Sequence, residues 1–125
     1  KHLLKNHVSK KLICTNPDLI VHRGEVAEYC AGTIAKLFES IGGESIYFGK
    51  PYKEIYTMCF TEKEKTIAIG DNLNTDIKGA NNMNIDSIFI SNGVHRGEFQ
   101  DEKELNSILL KYKVEASYFQ PQLIW

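Results

Sequence analysis

The stretch from Ile67 to Asp76 places the strongest constraint on how this chain folds. Its first three residues, Ile-Ala-Ile, form an apolar run typical of a buried strand, and Gly70 and Asp71 end that run. Asp76 follows five residues after Asp71, at the expected start of the next helix. Ligands of open α/β sheets bind at the carboxyl ends of the strands. The two carboxylates should therefore share one site, and Mg²⁺ prefers oxygen ligands of this kind.

A second motif, Gly49-Lys50-Pro51, closes a short predicted strand at residues 45–49. Pro51 ends the strand and can occupy the first position of the next helix. Lys50 is therefore expected at the same sheet edge as Asp71. An ammonium group is a compact charge suited to a phosphoryl oxygen or a carboxylate. The tripeptide alone favours a solvated loop lysine, but together with Asp71 it favours a phosphate site.

Strand and helix patterns alternate along the chain and predict an α/β fold with a parallel sheet and right-handed crossovers. Strands are predicted at residues 11–15, 45–49, 66–70, 87–90 and 116–119. Helices are predicted at residues 25–41, 52–60, 74–83 and 101–112, where apolar residues recur at helical spacing. Residues 1–9 are expected to form the end of a helix or a mobile tail.

Residues 49–52 and 70–80 resemble the third and fourth motifs of the haloacid dehalogenase (HAD) superfamily. The most similar branch is class IIA, which includes enzymes like nucleotide monophosphatase and 4-nitrophenylphosphatase. Thr-Asn-Pro-Asp at residues 15–18 and Cys-Ala-Gly-Thr-Ile-Ala at residues 30–35 resemble the cap segment of that branch. The resemblance extends over residues 11 to 95. It implies a Mg²⁺-dependent phosphatase that hydrolyses a small phosphorylated metabolite through a phospho-aspartyl intermediate.

The resemblance also implies a domain organisation and a set of site residues. Residues 1–44 would be the C-terminal part of the inserted α/β cap, and residues 45–125 the second half of a Rossmann-like HAD core. Lys50 would neutralise charge on the phosphoryl group, while Asp71 and Asp76 would serve the metal ion. The candidate substrate-binding residues are Asn16, Asp18, Arg23 and Asn72. A homodimer formed through the cap is also expected.

Several of these residues have a purely local explanation as well. Asn-Pro-Asp at residues 16–18 is an ordinary turn sequence. Asn72 can cap the following helix, and Asp76 can complement the helix dipole. Further along, Gly93 is expected to serve a backbone turn and His95 to be a solvated loop residue.

The sequence departs from the family pattern at one essential point. HAD phosphatases begin with an Asp-x-Asp motif, in which the first Asp is the nucleophile and the second is the acid/base. The aspartates of this chain are Asp18, Asp71, Asp76, Asp86 and Asp101, and no two of them stand two residues apart. The Ser/Thr of the second motif is missing too. We therefore expect the chain to be the C-terminal part of a longer phosphatase and to be inactive alone.

Two readings from other classes stay open beside the enzyme. The first is a degenerate HAD-like module that binds a partner or a small anion without catalysis. An in-frame Asp-x-Asp upstream of Lys1 in the coding sequence would decide for the enzyme. The second is a response-regulator-like α/β domain, which also joins Asp and Lys at strand ends. It is disfavoured because its acidic cluster precedes its lysine, whereas Lys50 precedes Asp71 here.

Composition excludes several further functions. The 125 residues are 42% hydrophobic, enough for one core of modest size. A net charge of −1 argues against a nucleic-acid-binding face, and no apolar run approaches the length of a membrane span. Cys14, Cys30 and Cys59 are widely spaced, which is typical of reduced thiols in a cytosolic protein. We therefore expect a cytoplasmic protein that has neither nucleic acid nor a membrane as a partner.

Overall fold

The computed structural model describes residues 2–59, 62 and 65–124, and strands alternate with helices along them. The strands are β1 (Lys11–Cys14), β2 (Ile20–Arg23), β3 (Val26–Tyr29), β4 (Glu44–Tyr47), β5 (Ile67–Gly70), β6 (Asp86–Ile90) and β7 (Tyr118–Gln120). The helices are α1 (His2–Lys5), α2 (Ala31–Glu39), α3 (Lys53–Cys59), α4 (Lys78–Met83) and α5 (Glu102–Tyr112). A π-helical turn, Leu73–Ile77, leads directly into α4.

Parallel pairing dominates the strand arrangement, as the sequence predicts, but the strands before Lys50 and Asp71 lie in two separate sheets and not in the single sheet that was predicted. Strands β5, β6 and β7 form one parallel sheet in that order, with Ile69 opposite Ile88. Strands β1 and β4 form a second parallel pair, with Ile13 opposite Ile46. Strands β2 and β3 form an antiparallel hairpin. The predicted α/β class is therefore confirmed.

The main apolar core lies between the three-stranded sheet and the helices that cover it. Leu73, Ile77 and Phe89 are fully buried there and pack with residues of α5 and the segment after it, Leu105, Ile108 and Val114. A smaller cluster of Tyr56, Ala80 and Ile85 joins α3 to α4. Because Leu73 and Phe89 stand next to the ends of β5 and β6, this packing fixes the two loops that leave those strands.

The hairpin is the main departure from the predicted elements, since the helix predicted at residues 25–41 is wrong over its first part. Those first residues form β3, and α2 begins only after it. Gly24, with a φ of 64°, closes the turn between β2 and β3 in a conformation that favours glycine. Val26 and Tyr29 repeat at helical spacing, but they are 62% and 82% exposed. Periodicity is misleading here because these side chains do not face the core.

The other predicted strands and helices are present, with ends shifted by a few residues. The helix predicted at residues 74–83 starts as the π-helical turn, and α1 occupies part of the segment expected as a helix end or tail. The predicted end of α3 at Phe60 lies outside the described residues. No helix in the described part of the chain has the length and apolar composition needed to cross a membrane.

The domain boundary proposed at residues 44 and 45 stays a prediction. Strand β1 lies before it and β4 starts at it, yet the two strands pair along their whole length. Helix α2, which lies between them in sequence, contributes the buried residues Ala35 and Phe38. Gly43 allows the close approach of the chain to Phe38, because a Cβ atom there would lie 2.4 Å from the phenyl ring.

Candidate active site

Asp76 is the centre of the site, because its carboxylate joins two loops. Its Oδ2 accepts the backbone N–H groups of Asp71 at 3.1 Å and Asn72 at 3.0 Å. Its Oδ1 accepts a hydrogen bond from the ammonium group of Lys50. Gly70 makes this arrangement possible, since a Cβ atom at that position would lie 2.3 Å from the Cβ atom of Asp76. The carboxylate therefore links the loop after β4 to the loop after β5.

Lys50 is half-exposed, and carboxylates surround its ammonium group. Burial acts to lower the pKa of Lys50, but the hydrogen bond and charge of Asp76, followed by the charges of Asp18 and Asp71, outweigh burial and raise it. Gly49 precedes the lysine with a φ of 91°, and a Cβ atom there would lie 2.8 Å from the carbonyl oxygen of Thr15. Lys50 is therefore positively charged at neutral pH and is held at the carboxyl end of β4.

Asp71 is held by the loop that follows β6. Its Oδ2 accepts the backbone N–H of Val94 at 2.9 Å. Gly93 lies so close that a Cβ atom would stand 2.1 Å from the same oxygen. Gly93 was expected to serve a backbone turn, and the structure adds that it makes room for the carboxylate. The other oxygen, Oδ1, has no hydrogen bond to any described residue, so it can take a ligand.

Asn72 and Asp18 connect the motif loop to the segment after β1. Asn72 donates from Nδ2 to Asp18 Oδ1 at 3.2 Å, and its Oδ1 accepts the N–H of Asn74 at 2.9 Å. The local explanation, a helix cap, therefore holds for Asn72 together with its place in the site. A Cβ atom at Gly32 would lie 2.1 Å from the carbonyl oxygen of Pro17, so the start of α2 packs tightly against this segment.

These groups face one cavity of about 390 Å³. Its charged lining comes from Asp18, Asp71, Asp76, Lys50 and Arg96, and the turn of the hairpin closes one side. Three carboxylates outnumber two cationic side chains, so the cavity carries excess negative charge. A phosphate dianion is repelled by such a surface unless a cation accompanies it.

Two predicted substrate-binding residues do not line this cavity. Asn16 uses its side-chain oxygen to accept the N–H of Asp18 at 3.2 Å, which is the local turn that its sequence suggests. Arg23 forms an ion pair with Glu28 at 3.3 Å, and its side chain is 80% exposed. The structure thus brings together Asp18, Lys50, Asp71, Asn72 and Asp76, and leaves Asn16 and Arg23 outside the group.

Sequence reasoning was wrong about His95 and missed Arg96. His95 was expected to be a solvated loop residue, but it is 3% exposed because its ring packs between Phe89 and Tyr112. Arg96 donates to the carbonyl oxygen of Gly24 at 3.1 Å and thereby ties the hairpin turn to the loop after β6. Neither role leaves a local sequence signal, because both depend on contacts between distant segments.

The residues present fit part of a Mg²⁺ shell. The described residues contain no group of three or more His, Cys, Asp or Glu side chains arranged to hold a metal. Asp71 offers one carboxylate oxygen, whereas both oxygens of Asp76 already accept hydrogen bonds. Mg²⁺ keeps several waters and needs only one or two protein carboxylates, so this arrangement suits it. Direct ligation by Asp76 stays a prediction, and its contacts favour a role in positioning Lys50.

Comparisons with known proteins agree with this arrangement. A family model described as HAD-hydrolase-like matches residues 47–112, slightly more than half of the chain. The chain is 27% identical to dihydroxyacetone phosphatase from Corynebacterium glutamicum (strain R), over 78% of this chain and 40% of that protein. A haloacid dehalogenase-like hydrolase from Brucella suis 1330 is 28% identical, with a TM-score of 0.77 over 98% of this chain and 48% of its own. A double mutant of a thermostable NPPase from Geobacillus stearothermophilus is also 28% identical, with a TM-score of 0.60 over 79% of this chain and 41% of its own.

Strands β4 and β5 belong to two different parallel sheets, yet their carboxyl ends bring Lys50, Asp71 and Asp76 into one site, which defines the chain as part of a hydrolase with a mixed α/β fold. More particularly, the chain belongs to the HAD-like hydrolase family, and the resemblance noted in the sequence is confirmed. The chain spans less than half the length of the relatives described above.

Proposed function

We propose that this chain carries the metal- and lysine-bearing half of a Mg²⁺-dependent phosphatase site that hydrolyses a small phosphorylated metabolite. The observation that carries the proposal is the contact of Asp76 with Lys50 on one oxygen and with the Asp71 loop on the other. This contact places the ammonium group of Lys50 near the carboxylate of Asp71, whose Oδ1 has no hydrogen bond to a described residue. The similarity to a dihydroxyacetone phosphatase supports a small phosphorylated substrate.

In this reaction, an aspartate from outside these 125 residues attacks phosphorus and displaces the alcohol, which leaves with a proton from the acid/base group. Water then cleaves the acyl phosphate, which releases inorganic phosphate and restores the carboxylate. Bound Mg²⁺ would supply Lewis-acid stabilisation of the phosphoryl oxygens. Asp71 would hold the ion through its open oxygen, together with water.

Lys50 would contribute charge at the phosphoryl group. Its raised pKa keeps the ammonium protonated, and Asp76 prevents it from swinging into solvent. Such a fixed cation stabilises the charge that develops in the transition state without any reorganisation. Asp18 and Asn72 line the same cavity and would bind the substrate. A substrate contact by Arg23 would require the hairpin to change its position, and one by Asn16 would require a change in the segment after β1.

The test uses the full-length protein, meaning these residues together with the segment that supplies the nucleophile. Hydrolysis of p-nitrophenyl phosphate should require Mg²⁺ and stop when a chelator is added. It should also fall in Lys50→Ala, while Lys53→Ala, a lysine on the exposed part of α3, serves as the matched control and retains activity. Turnover that is equal with and without Mg²⁺ would remove the basis of the proposal.

A non-enzymatic HAD-like binding module is the second candidate. The observation that favours it is that no Asp-x-Asp occurs in these 125 residues. It predicts that the full-length protein binds inorganic phosphate in the presence of Mg²⁺ but releases none from any phosphate ester. Calorimetry together with a phosphate-release assay separates the two candidates.

Two further features belong to the proposal. A cytoplasmic location is supported by three cysteines that form no disulfide with one another. A homodimer formed through the cap segment is expected by resemblance alone, and sedimentation of the full-length protein tests it. An interaction with nucleic acid or with a membrane is not expected, given the net charge of −1 and the absence of a long apolar run in the sequence.

A further inference from the structure

We propose that His95 is a positioning residue for Asp71, an inference that rests on the phosphatase function proposed above. His95 follows β6 and is 3% exposed, so its ring is not available to substrate. One ring nitrogen contacts the loop that carries Asp71, and the other contacts Glu98. Through these contacts the ring fixes where the Asp71 carboxylate lies.

The first contact satisfies a buried donor. His95 Nε2 accepts the backbone N–H of Leu73 at 3.1 Å, and Leu73 is fully buried. Leu73 stands at the start of the π-helical turn, where backbone N–H groups lack partners within the helix. A buried N–H without an acceptor is costly, so the loop after β5 keeps this conformation only while Nε2 accepts this hydrogen bond.

The second contact selects the tautomer that makes the first one possible. Because Nε2 accepts, the proton of the neutral ring is on Nδ1, which donates to Glu98 Oε1 at 2.7 Å. Phe89 and Tyr112 hold the ring in place, with centroid distances of 6.3 and 4.8 Å. Glu98 and the two aromatic rings therefore orient His95, and His95 orients the loop.

Two neighbouring residues of the loop after β6 hold the loop that carries Asp71. Val94 donates its N–H to Asp71 Oδ2 at 2.9 Å, and His95, the next residue, binds Leu73 two positions beyond the carboxylate. Removal of the His95 acceptor leaves the Leu73 N–H unpaired, and the loop can recover a partner only by moving. Such a movement displaces Asp71 while the outline of the cavity remains.

Kinetics of two variants of the full-length protein test the proposal. His95→Gln keeps a hydrogen-bond acceptor of similar reach. His95→Leu keeps a side chain of similar size but removes the acceptor. We expect His95→Leu to lower kcat by about 100-fold, in line with the effect of a misplacement of about 1 Å, and to raise the Mg²⁺ requirement. The KM for p-nitrophenyl phosphate should change little, and His95→Gln should recover most of kcat. Ile85→Ala, a change in the smaller core cluster next to the amino end of β6, controls for lost stability and should leave kcat unchanged.

A second readout does not depend on activity. Two-bond ¹H–¹⁵N correlation spectra of the full-length protein should show neutral His95 with its proton on Nδ1 and an unprotonated Nε2. A proton on Nε2 overturns the proposal, as does a His95→Leu variant with the kcat and Mg²⁺ requirement of the wild type.

If His95→Leu does not fold, His95→Asn, whose amide is too short to reach Leu73, takes its place with the same expected loss. A wild-type protein without phosphatase turnover contradicts the proposed function instead, and the tautomer then still tests the His95 contact.

Discussion

Asp76 accepts the ammonium group of Lys50 on one carboxylate oxygen and the backbone N–H groups of Asp71 and Asn72 on the other. The aspartate is almost completely buried, whereas Lys50 is half-exposed. The contact therefore orders two loops from inside the protein and leaves the lysine open to the cavity. We expect changes to this arrangement to alter the stability and turnover of the full-length protein, which is the protein tested unless the 125-residue chain is named.

Asp76→Asn should lower both stability and turnover. The amide presents an NH₂ group either to the Lys50 ammonium or to the two backbone donors, so one side of the contact becomes repulsive. We expect a loss of about 1 to 3 kcal/mol in the free energy of unfolding, measured with denaturant. Asp86→Asn is the matched control, because Asp86 is exposed and its one side-chain hydrogen bond to a described residue comes from Ser117. Equal stability of the two variants would show that the Asp76 contact is not needed for the fold.

Gly93→Ala should displace the Asp71 carboxylate, since the added Cβ atom would lie 2.1 Å from its Oδ2. We expect kcat to fall by about 100-fold, in line with the effect of a small misplacement of a catalytic group. Gly97→Ala is the control: it strains a residue with a φ of 81° but meets no atom within 4 Å. It should cost about 1 kcal/mol of stability and leave kcat unchanged. Wild-type turnover in Gly93→Ala would contradict the role of Asp71.

Lys50 should make stability depend on pH in the alkaline range. Its folded-state pKa lies above the ordinary value of 10.5, so its contribution is complete below pH 10.5. The contribution is lost as the pH rises through the folded-state pKa. The free energy of unfolding of the wild type minus that of Lys50→Gln should therefore fall above pH 10.5. Burial and the charge of Asp76 raise the pKa of Tyr56 to about 12. Tyr56 titrates in both the wild type and Lys50→Gln, so most of its effect cancels in the difference between their free energies of unfolding. A flat difference would show that the ammonium is not stabilised by its neighbours.

The 125-residue chain alone should not hydrolyse p-nitrophenyl phosphate in the presence of Mg²⁺. Charge stabilisation without a nucleophile leaves most of the barrier in place. Release of p-nitrophenolate at the rate of the buffer is the expected result. Turnover that persists through purification and disappears in Asp71→Asn would show that these residues contain a nucleophile of their own.

Most of the fold and part of the site can be predicted from the sequence, because they depend on patterns within short stretches of the chain. Apolar runs that end in Gly49-Lys50 and Gly70-Asp71 identify two strand ends, and ligands of α/β sheets bind at such ends. The two strands lie in separate sheets, which the sequence does not show. The spacing of five residues places Asp76 where it can reach back to the Asp71 loop. Helical periodicity also locates α5, whose apolar residues do face the core.

What the sequence does not reveal depends on contacts between distant segments. The β2–β3 hairpin is hidden because Val26 and Tyr29 repeat at helical spacing although they are exposed. The burial of His95 depends on Tyr112, at the end of α5, and on the packing of its ring near the buried Phe89 of β6. For the same reason, no local pattern shows that Arg23 lies outside the cavity, whereas the turn sequence at residues 16–18 does indicate the local role of Asn16.

The most direct test of the account is a Mg²⁺ titration of turnover in three forms of the full-length protein: wild type, Asp71→Asn and Lys50→Ala. Loss of the open carboxylate oxygen should weaken the metal site, whereas loss of the ammonium should weaken charge stabilisation only. The account predicts that Asp71→Asn lowers kcat by about 100-fold or more and raises the Mg²⁺ concentration for half-maximal activity. Lys50→Ala should lower kcat while that Mg²⁺ concentration stays near the wild-type value. An Asp71→Asn protein with unchanged activity and unchanged Mg²⁺ dependence would contradict the account.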